Sequence, residues 1–143
     1  MEVKNEITLK SFGVLSSNIE KRELVKIICI SLGLLQEKDK RDVIVDVVYI
    51  LNLAQKNNEL LSSEEIQKKV IDIRNNLNLD LKGTAPSNIR RILKTLIDYG
   101  LIERKSSKYF FKGNKKPDEI FKEIIELKIK PILKRNIQYL SKL

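Results

Sequence analysis

Residues 84–112, TAPSNIRRILKTLIDYGLIERKSSKYFFK, decide how the rest of the chain is read. Thr84 is a helix-capping residue type, and Pro86 with Ser87 suits a first turn, where backbone N–H groups lack helical partners in any case. Ile89, Ile92, Leu93, Leu96 and Ile97 then recur at the i, i+3, i+4, i+7, i+8 spacing of one helical face. Gly100 is placed to end that helix in a left-handed conformation. Two runs follow, 101–105 and 108–112, joined by Ser106-Ser107. Tyr109, Phe110 and Phe111 favour strands and the serines suit a turn, so a small hairpin is expected.

At roughly 100° per residue, Ser87, Arg91 and Lys94 fall nearly opposite the apolar stripe, with Asn88 and Arg90 at the edges of the polar face. A cationic, hydrogen-bonding outer face followed at once by a basic hairpin is what insertion into a DNA groove requires. Asn88 and Arg91 are the types that read base edges, Asn suiting adenine and Arg guanine. Arg90 and Lys94 suit phosphate, which positions a protein without reading sequence. Thr84 and Ser87 lie where a helix N-terminus can hold a phosphate. Arg104, Lys105 and Lys108 flank Ser106-Ser107, placing three cations and two hydroxyls around one hairpin tip. The competing reading is ordinary solvated surface, since exposed hairpins also carry lysines to discourage edge pairing. Tyr109, Phe110 and Phe111 could stack bases, but strand alternation favours core packing for Phe110 or its neighbours.

The pattern SNIRRILKTLIDYGLIERKSSKYFF, residues 87–111, resembles the second half of a winged helix-turn-helix domain: recognition helix, glycine, wing. Less sharply, the resemblance extends back to about Asp39, so it covers about half the chain and points to a superfamily. It is of the kind found in small dimeric regulators such as the MarR and PadR families. The fold it implies is mainly α with a small β-hairpin wing, a winged helix-turn-helix with extra N- and C-terminal helices. It also implies base-reading residues on the outer face of the 84–99 helix and a wing tip at the adjacent minor groove or backbone.

Charge distribution agrees with that reading. The 143 residues include 28 Lys+Arg and 19 Asp+Glu, a formal net charge of +9. Residues 1–80 hold 12 basic and 13 acidic side chains, whereas residues 81–116 alone hold 10 and 2. A uniformly lysine-rich composition would not leave the first half slightly acidic, so the asymmetry favours a polyanionic partner. The absence of histidine removes His-based triads, His general bases and most zinc sites. No glycine-rich phosphate loop, nucleophile elbow or metal-ligand cluster is present, so neither an enzyme nor a cofactor is expected. Paired acids such as Glu64-Glu65 and Asp118-Glu119 suit helix N-termini better than acid–base work. Cys29, the only cysteine, lies in the apolar run VKIICISLGLL and reads as a buried small hydrophobe. One cysteine makes no internal disulfide, which fits a reducing compartment. The apolar runs are too short to cross a bilayer, and MEVKNEITLK does not resemble a signal peptide. The expectation is a cytoplasmic protein, nucleoid-associated in a prokaryote.

The remaining chain supplies the frame. Three segments are expected: 1–36, an N-terminal arm and apolar helix; 37–113, the DNA-binding domain; and 114–143, a C-terminal helix. Ile7, Leu9 and 12–15 form either a short strand or a frayed arm. A helix over 19–35 has a charged start but is apolar nearly all round from Leu24 to Leu35, and must be covered, in the domain or in a dimer interface. A second helix spans 39–56, with a core face of Val43, Val47, Ile50, Leu51 and Ala54. Leu60-Leu61 suits the short strand that pairs with the wing. Ser62 and Glu65 form a capping-box pattern before Ile66, Val70 and Ile73, on a helix reaching Asn76. Residues 78–83 are a polar linker, longer than in a compact helix-turn-helix. After a break at 113–117, a last helix begins at Pro117, and Pro131 should kink or split it. Its apolar positions, with those of the 19–35 helix, suggest a homodimer through the terminal helices. The expected function is sequence-specific or semi-specific binding of double-stranded DNA by a dimeric transcription regulator. The alternatives are a winged-helix adaptor in a nucleic-acid-processing complex, or a non-specific architectural or RNA-binding protein.

Overall fold

The computed structural model describes residues 20–143, so the arm with Ile7, Leu9 and 12–15 lies outside the described residues. Among the described residues the fold is mainly helical with a small two-stranded antiparallel sheet. In chain order it contains α1 (Lys21–Ser31), α2 (Val43–Lys56), α3 (Ser63–Asn76), α4 (Pro86–Tyr99), β1 (Ile102–Lys105) and β2 (Lys108–Phe111). Then α5 (Pro117–Ile124) leads through a widened turn, Ile125–Ile129, into α6 (Lys130–Leu140). One hydrophobic core runs from Cys29 in α1 to Ile124 in α5. At its centre Val47, Ile66, Val70, Ile89, Leu93 and Leu96 have no exposed surface, so the stripes of α2, α3 and α4 converge on each other.

Local chemistry explains most of the elements. Ser62 Oγ accepts from Glu65 N at 3.2 Å, and Glu65 Oε1 accepts from Ser62 N at 3.1 Å, closing the expected capping box. Gly100 ends α4 at φ 95°. The strands pair antiparallel, Ile102 opposite Phe111 and Lys105 opposite Lys108. Ser106 and Ser107 both take positive φ, 52° and 64°, the two-residue turn whose twist matches the strands it joins. Tyr109 and Phe111 face the core and Phe110 is half-buried, which assigns the alternation. Leu61 contributes a single bridge to this sheet, accepting from Tyr109 N at 2.8 Å.

Several boundaries differ from the expectation, each for a physical reason. The first helix stops at Ser31, not Leu35, because Gly33 at φ 75° terminates it. Gly33 N donates to Ile30 O and Leu34 N to Cys29 O, satisfying carbonyls that a longer helix would have used. It packs on α2 and buries Cys29 and Ile30, leaving Leu24 and Ile28 as its exposed large apolar residues. Burial pushes the Cys29 thiol up to about 12. Helix α2 begins at Val43, not Asp39, with Asp42 in the cap position, while the Asp39 carboxylate accepts from Gln36 N in a turn. Thr84 does not cap α4. Ala85 takes that position, and the Thr84 hydroxyl turns back to donate to Leu81 O at 2.6 Å. Pro131 is accommodated by the widened turn before it, where Lys130 N bonds Ile125 O five residues back. The proline has no N–H to offer and its ring crowds the carbonyl four residues earlier, so the backbone loosens there.

Candidate nucleic-acid interface

Helix α4 turns Ser87, Arg90, Arg91 and Lys94 outward, and all four are exposed. The same helix buries Ile89, Leu93 and Leu96 against α2 and α3, so rotation about its axis is fixed by the core. Arg91 does not stand alone. Its Nη2 donates to Asn88 Oδ1 at 2.5 Å, and Asn88 Nδ2 donates to Gly83 O at 2.6 Å. Both ends of the Asn88 amide are therefore engaged within the protein, and the residue acts here as a brace between the linker and Arg91. Thr84 is 7% exposed, which leaves its hydroxyl committed to Leu81 and unavailable at the surface.

The hairpin divides its cations differently from the sequence expectation. Lys105, Ser106 and Ser107 are exposed at the tip. The Arg104 guanidinium lies over the Tyr109 ring, 5.8 Å from its centroid, a cation–π arrangement that steadies it on the sheet. Lys108 is half-buried and pairs with Glu65 Oε1 at 2.8 Å. That hydrogen bond, then those from Ser62, holds the Glu65 carboxyl at about 2. Lys108 therefore clips the hairpin to the first turn of α3. Glu64 beside it is also held below the usual carboxylate range, first by backbone hydrogen bonding, then by Ser63 and Ser62, with the Arg90 charge adding. The carboxylates at the start of α3 thus temper the field next to α4.

Two features were missed in the sequence. The stem of Arg41 passes beside Gly83, bringing an exposed cation from ahead of α2 to the linker that Asn88 grips. The second is a buried ion network. Arg74 Nη1 donates to Asp42 Oδ1 at 2.9 Å and Asp46 Oδ2 at 2.8 Å, while Arg22 donates to Asp46 Oδ1 at 2.8 Å and Asp42 Oδ2 at 3.1 Å. Arg74 Nε also donates to Asp80 O at 2.6 Å, and Gln67 Nε2 to Thr84 O at 2.9 Å. These bonds pin the long linker, residues 77–85, to α2 and α3, and so set where α4 begins. Desolvation works to raise the Asp42 carboxyl, but the bonds from Arg74 and Arg22 outweigh it and hold the group below its ordinary value. The signal was present: Asp46 lies inside the apolar stripe of α2, and Arg74 continues the Ile66–Val70 step of four.

Among the described residues no group of three or more His, Cys, Asp or Glu is arranged to hold a metal ion, and no helix is long and apolar enough to cross a membrane. No family model, curated protein or solved structure matches the chain.

Proposed function

We propose that the chain is a winged helix-turn-helix protein that binds double-stranded DNA, with α4 in the major groove and the β1–β2 hairpin as the wing. The observation that carries this reading is the exposed row Ser87, Arg90, Arg91 and Lys94 on α4, next in the chain to a hairpin with Lys105, Ser106 and Ser107 at its tip. In this reading Arg91 reaches a base edge, oriented by Asn88, while Arg90, Lys94 and Lys105 meet phosphate. The role that follows is cytoplasmic transcription regulation. A protein-interaction adaptor is the second reading, favoured by the wholly exposed α6.

Titration onto mixed-sequence duplex DNA at several salt concentrations tests the first reading, with an Arg90/Arg91/Lys94 triple-alanine variant alongside. Binding that weakens steeply with salt and collapses in the variant supports it. No binding at low salt, or equal binding by the variant, removes α4 as the contact surface. Competition with single strands and RNA separates duplex binding from the RNA-binding alternative.

A further inference from the structure

Every residue from Lys130 to Leu143 is exposed, although α6 continues directly from a helix that packs on the core. The root of this rod is fixed: α5 buries Ile120 and Ile124, and Lys128 Nζ donates to Tyr99 O at 2.9 Å. Ile129 is the last residue set against the core, and every large apolar side chain beyond it is at least 53% exposed. At roughly 100° per residue, Tyr139, Ile132, Leu140, Leu133 and Ile137 gather in one arc of roughly 160° on α6. Lys130, Lys134 and Arg135 take the other side with Gln138, Lys142 follows, and residues 130–143 hold no acidic side chain. Apolar and cationic residues are thus fully separated, and Asn136 is the one polar residue inside the apolar arc.

We propose that α6 lies along the surface of an anionic lipid bilayer, its apolar arc at the boundary of headgroups and acyl chains and its cations among the lipid phosphates. Charge selects this occupant. Arg135 borders the arc beside Tyr139, and Lys134 borders it beside Ile137, so both rims are cationic. At a bilayer both rims meet anionic headgroups, and the long stems lie on apolar surface while their charges stay in water. A second copy offers the reverse. Paired helices match opposite charges along the rims of their seam, whereas here cation would face cation, and the nearest acid, Glu126, is already paired with Lys130. Asn136 suits a shallow position, where water and headgroup oxygens reach an amide that the hydrocarbon interior would leave unsatisfied. Lying on the surface does not need the about 20 apolar residues of a spanning helix, and no helix here is long and apolar enough to span. The site is independent of the DNA-binding reading, which concerns α4 and the hairpin.

Co-pelleting of the full chain with vesicles tests it, phosphatidylcholine alone against phosphatidylcholine mixed with phosphatidylglycerol. The wild type is expected to pellet with the mixed vesicles and far more weakly with phosphatidylcholine alone. Lys134→Gln/Arg135→Gln/Lys142→Gln should weaken binding on the order of a hundredfold, at about fivefold for each cation. Leu133→Gln/Leu140→Gln keeps every cation and should weaken it at least about tenfold. Both variants should keep the cooperative unfolding of the wild type, because α6 has no buried residue. The chain contains no tryptophan, so Ile137→Trp supplies a sole reporter whose emission should shift to the blue on the mixed vesicles. A wild type that stays in the supernatant overturns the proposal, and if it sediments as a dimer that Leu133→Gln/Leu140→Gln splits, the arc belongs to a second copy. Equal pelleting by Leu133→Gln/Leu140→Gln, or an unshifted emission, also overturns it, by reducing the contact to adsorption of charge. The Arg90/Arg91/Lys94 triple-alanine variant should pellet with the same vesicles, and Leu133→Gln/Leu140→Gln should still bind duplex DNA at low salt, so the two readings fail separately.

Discussion

Arg74 Nη1 lies 2.8 Å from Asp46 Oδ2, joining an arginine whose side chain is 2% exposed to a carboxylate side chain with no exposed surface. Such a pair gives back in Coulomb energy what it loses in desolvation, so its net contribution is modest while both partners are present. Removing one partner is a different matter. Arg74→Ala leaves Asp46 with Arg22, and Asp42 with Arg22 and the more distant Lys26 at 3.7 Å, and should destabilise the fold by about 3–5 kcal/mol. Arg74→Lys should recover only part of that, because one ammonium cannot serve two carboxylates and Asp80 O in the planar geometry of a guanidinium. Chemical denaturation of the two variants measures both effects, and a loss within experimental error for Arg74→Ala would contradict the account.

The same network makes stability depend on pH in a definite direction. The Asp42 carboxyl is depressed in the folded state from an ordinary value of 3.8. Its contribution is therefore complete above that value and is lost as pH falls through the lower folded value, where the native carboxylate finally protonates. Denaturation midpoints measured from neutrality down to about pH 2 should fall on the acid side, and Asp42→Asn should be less stable at neutrality but flatter across that window. The Glu65 carboxyl is also depressed in the folded state, so Glu65→Gln is the control that separates the two.

Asn88 and Arg91 form one unit in the proposed interface. Arg91→Ala should cost about 1–3 kcal/mol on a cognate site and relax its specificity. Asn88→Ala should weaken binding less, and the double variant should fall short of the sum, since the amide acts through the guanidinium it holds. Strict additivity in that cycle would show that Asn88 contacts DNA on its own account.

Arg41 is predicted to touch phosphate beside the linker. Arg41→Ala should lower affinity uniformly across duplex sequences and reduce the slope of log K against log salt by about 1. An unchanged slope would leave Arg41 as a packing neighbour of Gly83.

Cys29 should be inert in the native protein. With its thiol pushed up to about 12 by burial, it should resist a disulfide reagent at mildly alkaline pH and react at once when the chain is unfolded in denaturant.

Much of the candidate site was legible before the fold was known. The periodicity of Ile89, Leu93 and Leu96 forces Arg90, Arg91 and Lys94 outward on any helix that buries the stripe. Helix ends were less legible, and Gly33 shows why. A glycine inside an apolar run reads equally as a tolerated interior residue or as a left-handed terminator. The choice depends on whether the following residues pack, as Leu35 does.

The features legible along the chain are therefore local: the α4 helix with its cationic face, the Ser62–Glu65 box, the end at Gly100, the hairpin and the rod begun by Pro117. These rest on interactions between residues a few positions apart, which spacing encodes directly. Tertiary structure decided which of the polar residues are free. Lys108 is tied to Glu65, 43 positions away, Arg74 to Asp46, 28 positions away, and Arg41 comes to rest beside Gly83. Such partners are selected by how the helices pack, because an ion pair needs atoms within a few ångströms and a sequence records only order along the chain.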